Sequence, residues 1–144
     1  MEEKLKEYAA LLVRVGLNVQ PGQTLVISAP VECAWFARLC AAEAYDAGCR
    51  EVVMNWSDDA LGRMKYLRAA DDVFDSVPLW RRHFYNDYAQ EGAAYLAISA
   101  SDPENLKGVD PGRVTRAQQA SGKALREFDR LQMSSGFPWC IASI

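Results

Sequence analysis

The run Thr24-Leu25-Val26-Ile27 decides the fold. Three aliphatic side chains follow one another without the polar alternation of a half-exposed strand. Such a run reads as a strand buried on both faces, which is the habit of parallel sheets. Just before it, Pro21-Gly22 is a turn signal. Just after it, Pro30 is placed to open a helix at its first position. That helix is predicted from about Val31 to Ala47, is rich in alanine, and stops at Gly48. A second apolar run, Glu51-Val52-Val53-Met54-Asn55-Trp56, follows at once. Strand, helix and strand make a βαβ unit, and its right-handed crossover implies parallel pairing.

The rest of the chain repeats this alternation. Upstream, Leu5, Tyr8, Ala9, Leu12 and Val13 recur at helical spacing over Glu2 to Val15, with Gly16 as the expected left-handed stop. Downstream, Ser57 offers a capping hydroxyl before Asp58 and Asp59, and a helix is expected over Leu61 to Leu67. Ala69 to Val77 reads as an irregular connection or a short helical turn. Pro78 opens a helix that reaches Glu91 and stops at Gly92. Ala93 to Ser99 is the third strand. Asp102-Pro103 and Asp110-Pro111 both have the form of a helix entry, and the second starts a long helix to about Leu131. Phe137 to Ile144 is the fourth strand. Helices alternating with unbroken apolar strands predict one α/β domain over residues 1–144. The expected fold is a three-layer sandwich with a mainly parallel sheet of about four strands, flavodoxin-like, in the order 2-1-3-4. The closing strand has no polar tail, and the expectation is that a longer parent chain continues past Ile144.

Composition narrows the function classes. The 144 residues are 50% hydrophobic and 24% charged, with a net charge of −3. No clustered basic excess is present, so no nucleic-acid partner is expected; the densest basic pair, Arg81-Arg82, sits among aromatics. No run approaches the ~18 apolar residues of a membrane span, and Met1 to Glu7 lacks the apolar core of a signal peptide. Cys33, Cys40, Cys49 and Cys140 form no CxxC pair and read as reduced, buried thiols of a cytoplasmic protein.

Ligands of open α/β sheets bind beyond the carboxyl ends of the strands. Those ends are Ser28-Ala29-Pro30, Asn55-Trp56-Ser57-Asp58 and Ser99-Ala100-Ser101-Asp102. Neither a GxGxxG nor a Walker-type phosphate loop follows them. Their polar residues serve as helix caps, or else Asn55, Ser57 and Ser99 line a small pocket. Metal chemistry needs three or more converging His, Cys, Asp or Glu ligands. The single histidine, His83, has Asp87 one helical turn later, which reads as an exposed pair. Glu32 and Glu43 on one helix would stand about 16 Å apart, too far to share an ion. No GxSxG elbow is present. Trp80, Phe84 and Tyr88 form an aromatic stripe that suits a core, a neighbouring domain or a substrate wall.

Several ordered blocks carry a resemblance. Tyr8 to Ile27, Ala29-Pro30-Val31-Glu32, Glu51 to Asp58, Ser101-Asp102-Pro103, Gly108-Val109-Asp110-Pro111 and Pro138-Trp139-Cys140 together resemble the opening of the thermophilic-type metallo-aminopeptidases, the aminopeptidase T, PepS and AmpS family. The resemblance covers essentially the whole chain. It implies a hydrolase that releases amino-terminal residues from peptides with two divalent metals, cobalt or zinc, and that works as a homodimer. It also implies that the metal ligands lie in a carboxyl-terminal catalytic domain absent from these 144 residues, so no ligand is carried over to any position here. The amino-terminal domain would bound the cavity that holds the active sites, the fragment alone would be inactive, and Asn55 and Ser57 are the substrate-pocket candidates. The competing reading is a free-standing flavodoxin-like module for small-ligand binding or dimerisation.

Overall fold

A computed structural model describes residues 2–100 and 102–144. Met1 and Ser101, the latter quoted above both for a strand end and for the resemblance, lie outside them. Four strands, β1 (Thr24–Pro30), β2 (Glu51–Ser57), β3 (Ala94–Ser99) and β4 (Trp139–Ser143), form one parallel sheet. Their order is β2-β1-β3-β4, the order expected from the sequence. The helices are α1 (Glu2–Ala10), α2 (Ala34–Asp46), α3 (Asp59–Arg68), α4 (Leu79–Glu91), α5 (Pro111–Ala124) and α6 (Arg126–Met133).

Successive strand residues face opposite sides, and the two sides bury different chemistry. Leu25, Ile27, Ala29, Leu96, Ile98 and Ala142 pack with α1 and α2 in an aliphatic layer around Phe36 and Cys40. Val26 and Tyr95 face the other way, into an aromatic layer with Phe84, Tyr85 and Tyr88 of α4, Phe128 of α6, and Phe137. All three layers of the predicted sandwich are present.

Several local expectations are corrected. Gly16 is not the left-handed stop: α1 gives way to a π-helical turn over Leu11–Gly16, and the positive φ falls on Asn18, at 49°. Asn tolerates that region better than other residues with a β-carbon, and its carbonyl accepts a hydrogen bond from Gln20 Nε2 at 2.9 Å. A β-carbon at Gly16 would meet Cys140 Sγ at 3.5 Å, an ordinary contact, so neither space nor backbone conformation requires glycine there. Pro30 ends β1 rather than opening α2; its φ of −64° and ψ of 147° continue the strand, and a 3₁₀ turn over Val31–Cys33 precedes the helix. Glu32 therefore sits outside the helix that carries Glu43, and Glu43 pairs with Arg14. Asp58, not Ser57, caps α3, its carboxylate accepting from the Ala60 and Leu61 N–H groups. A carboxylate also suits the positive end of the helix dipole. Asp102-Pro103 yields a turn and no helix. The long helix is divided at Leu125, with a cause in α4. Asn86 Nδ2 donates to the Ala124 carbonyl and its Oδ1 accepts from Phe128 N–H, each at 3.0 Å. One side chain replaces the helical bonds that the break opens.

A small satellite stands beside the sheet. It comprises α3, a 3₁₀ turn over Asp71–Asp75, residues 102–109 and α5. Its centre is Phe74, stacked on Tyr66 at 5.3 Å with the Arg113 guanidinium 5.0 Å above its ring. Arg116 clasps Asp75 with two hydrogen bonds and reaches Asp71 with two more, to its carboxylate and its carbonyl.

Candidate functional site

The parallel register sets small polar residues side by side at the carboxyl ends of the strands. Ser28 pairs with Asn55 on one side and Ala97 on the other, Pro30 pairs with Ser57, and Ser99 pairs with Ser143. Ser28, Asn55, Ser57, Ala97 and Ser99 alternate with the aliphatic set, so they share the α4 side of the sheet. Together with Ala100 they border a cavity of about 180 Å³. The chain turns from β1 towards one edge of the sheet and from β3 towards the other. The cavity therefore sits at the topological switch point, where open α/β sheets receive ligands.

Asn55 is the best-anchored of these residues. Its Nδ2 donates to Ser28 Oγ at 3.2 Å and to the phenolic oxygen of Tyr85 at 2.5 Å. With both amide hydrogens committed, its carbonyl oxygen is the end left to accept from a ligand. Tyr85 is held through its backbone, where its carbonyl accepts from Tyr95 Oη at 3.0 Å. Burial, then the neighbouring Tyr85, Tyr88 and Glu91, push the Tyr95 phenol above the usual tyrosine range, so it stays a neutral donor. The bordering residues are serine, asparagine, alanine, isoleucine and proline, none of them charged. Such a lining can hydrogen-bond an amide or hydroxyl; it supplies neither an activated nucleophile nor a general base.

The sequence pointed to Asn55, Ser57 and Ser99, and the fold brings the three together. It does not bring His83 to them. His83 Nδ1 lies 3.6 Å from Asp87 Oδ2, both side chains largely exposed. The pair lines a larger, open cleft of about 770 Å³ with Gly22, Thr24, Glu51 and Trp80. That cleft reaches the amino ends of β1 and β2, the wrong end of the sheet for a ligand of this fold. The aromatic stripe divides: Phe84 and Tyr88 pack into the core while Trp80 is 69% exposed. Tyr85 lies one position off the four-residue spacing of Trp80, Phe84 and Tyr88, so the sequence pattern does not mark it. A tyrosine beside an asparagine across 30 residues leaves no local signal.

The profile of the family described as thermophilic metalloprotease (M29) matches residues 1–144. This chain belongs to the M29 family. Its M29 relatives include Aminopeptidase 2 of Geobacillus stearothermophilus, 38% identical over 99% of this chain and 35% of that protein. Aminopeptidase AmpS of Bacillus subtilis is 37% identical over 96% of this chain and 34% of that protein. Among solved structures, wild-type AmpT from Thermus thermophilus superposes with a TM-score of 0.91 at 34% identity, covering 99% of this chain and 36% of the other. The chain thus spans about a third of the length of the M29 relatives it matches.

M29 is a metalloprotease family, yet the residues here do not fit a metal. Among the described residues, no three His, Cys, Asp or Glu side chains converge to hold an ion. No described helix is long and apolar enough to cross a membrane.

Proposed function

We propose that this chain is the amino-terminal, cavity-bounding domain of a cytoplasmic, metal-dependent aminopeptidase that removes amino-terminal residues from peptides. The observation that carries the reading is the M29 match over the whole chain but about a third of each relative, set beside a described surface without a metal-ligand cluster. The ligands for a pair of cobalt or zinc ions then belong to the part of the polypeptide that the relatives carry beyond the match, and the assembly is a homodimer. In this reading the carboxyl-end pocket faces the peptide. Asn55 and Ser57 offer hydrogen bonds to its backbone while the chemistry proceeds elsewhere.

The test is a graft. The matched third of Bacillus subtilis AmpS is replaced by residues 1–144, and hydrolysis of a leucine chromogenic amide is followed with added cobalt or zinc. The graft is expected to hydrolyse the amide and the isolated chain is not. Metal-dependent turnover by the isolated chain would overturn the division of labour, and a folded but inactive graft would overturn the assignment. The switch-point cavity favours one second reading, a free-standing ligand-binding module. Micromolar binding of a flavin or nucleotide by the isolated chain would select it.

A further inference from the structure

Helix α3 buries none of its ten residues. It nevertheless carries Leu61, Met64 and Leu67, which are 62%, 46% and 49% exposed. At about 100° per residue, Leu61 and Met64 fall on the side away from Arg63 and Tyr66. The Arg63 side holds the helix in place. Arg63 Nη1 donates to the Asn105 and Lys107 carbonyls, each at 2.7 Å, and Asn105 Nδ2 donates to the Asp59 carbonyl at 3.1 Å. At the far end, Arg113 Nη1 donates to the Tyr66 and Ala69 carbonyls at 3.0 and 3.1 Å. Tyr66 stacks on the buried Phe74. A helix pinned along one side that shows Leu61 and Met64 on the other, with the exposed Leu67 lying between Met64 and Arg63, is a surface prepared for a partner.

The known length of M29 chains says what that partner is. In AmpT from Thermus thermophilus the same unit superposes over 99% of its length inside a chain of which it forms 36%. About two-thirds of that polypeptide lies outside the matched unit. Helix α3 begins at Asp59, two residues beyond Ser57 of the candidate pocket, so it follows directly from the end of the sheet that the proposed function turns towards the catalytic part. We infer that Leu61, Met64 and Leu67 form the docking face for the carboxyl-terminal part of the M29 polypeptide. This rests on the function proposed above.

Methionine oxidation tests it. The isolated chain and the AmpS graft are treated with dilute hydrogen peroxide, with a free methionine derivative as internal reference, and Met64 sulfoxide is followed by peptide mass spectrometry. Met64 is expected to oxidise at least tenfold more slowly in the graft than in the isolated chain. Leu61→Glu in the graft should restore much of the lost reactivity, whereas Val15→Glu, on an exposed site outside α3, should not. A graft that hydrolyses the leucine amide yet leaves Met64 equally reactive overturns the docking face and leaves the proposed function standing. Protection of Met64 in the isolated chain that grows with protein concentration also overturns it, and assigns the stripe to a second copy. An inactive graft removes the proposed function and this inference with it.

Discussion

Asn55 on β2 and Tyr85 on α4 meet through a hydrogen bond from the amide Nδ2 to the phenolic oxygen. It ties the carboxyl end of an edge strand to a helix that covers the sheet. A partly buried bond of this kind contributes about 0.5–1.5 kcal/mol. Tyr85→Phe keeps the ring against Phe84 and Phe128 and removes only the acceptor. Urea unfolding should show a loss in that range. A double-mutant cycle with Asn55→Ala should show coupling of similar size, and additivity of the two losses would mean the contact is idle.

The Arg116 clasp gives the satellite a pH dependence. Hydrogen bonds from Arg116, aided by its charge, hold the Asp75 carboxyl below its ordinary range. A carboxyl depressed in the folded state adds stability above its unfolded pKa, and that stability is lost as pH falls through the folded value. Arg116→Gln should therefore lower the thermal midpoint at pH 7, and the gap from wild type should close as pH drops below about 3.9, the ordinary aspartate value. Added salt should narrow it as well, because both partners are solvent-accessible. In NMR titration the Asp75 carboxyl should return to its ordinary range in the variant.

Cys40 is fully buried, and burial, reinforced by Glu43, pushes its thiol up to about 12. The thiolate is the reactive form, so Cys40 should resist iodoacetamide at pH 8 in the native protein and react once urea unfolds it. A raised thiol favours the folded state below its unfolded pKa. That contribution should fade as pH climbs from about 8.5, the free-cysteine value, towards about 12.

Phe74 is 2% exposed and lies between Tyr66 and Arg113. Phe74→Ala should cost about 3–5 kcal/mol by analogy with other buried aromatics. The loss should be local. Hydrogen exchange should quicken across 59–75 and 105–120 while the amides of β1 and β3 keep their protection. Uniform acceleration through the sheet would show that satellite and sheet unfold together.

The sheet was legible because buried parallel strands announce themselves as unbroken apolar runs. Thr24 to Ile27 and Ala93 to Ser99 needed no partner to be read, and glycines at positions 48 and 92 marked helix ends through their positive φ. The candidate pocket was legible for a related reason: strand ends follow from strand positions. What escaped depends on contacts distant in sequence. The break at Leu125 is made by Asn86, 38 residues from the carbonyl it satisfies. The left-handed residue after α1 falls on Asn18 and not on the glycine two positions before it. The satellite is held by arginines reaching carbonyls more than 40 residues away. The sequence offers the Ser57 hydroxyl as the cap of α3, and only the folded backbone shows that the Asp58 carboxylate is the group that meets the free N–H groups.

The pairing of β3 with β4 also sets an order of events during synthesis. β3 ends at Ser99 and β4 begins at Trp139. At roughly 5–20 residues per second, the intervening stretch of about forty residues keeps the outer edge of β3 unpaired for about 2–8 s after that strand is made. An open, apolar strand edge is the feature most prone to join another chain. On a crowded polysome, that interval is when one nascent copy can capture the next. Slow codons or a delayed ribosome between α5 and β4 would lengthen it, and so set the yield of folded protein without changing any residue.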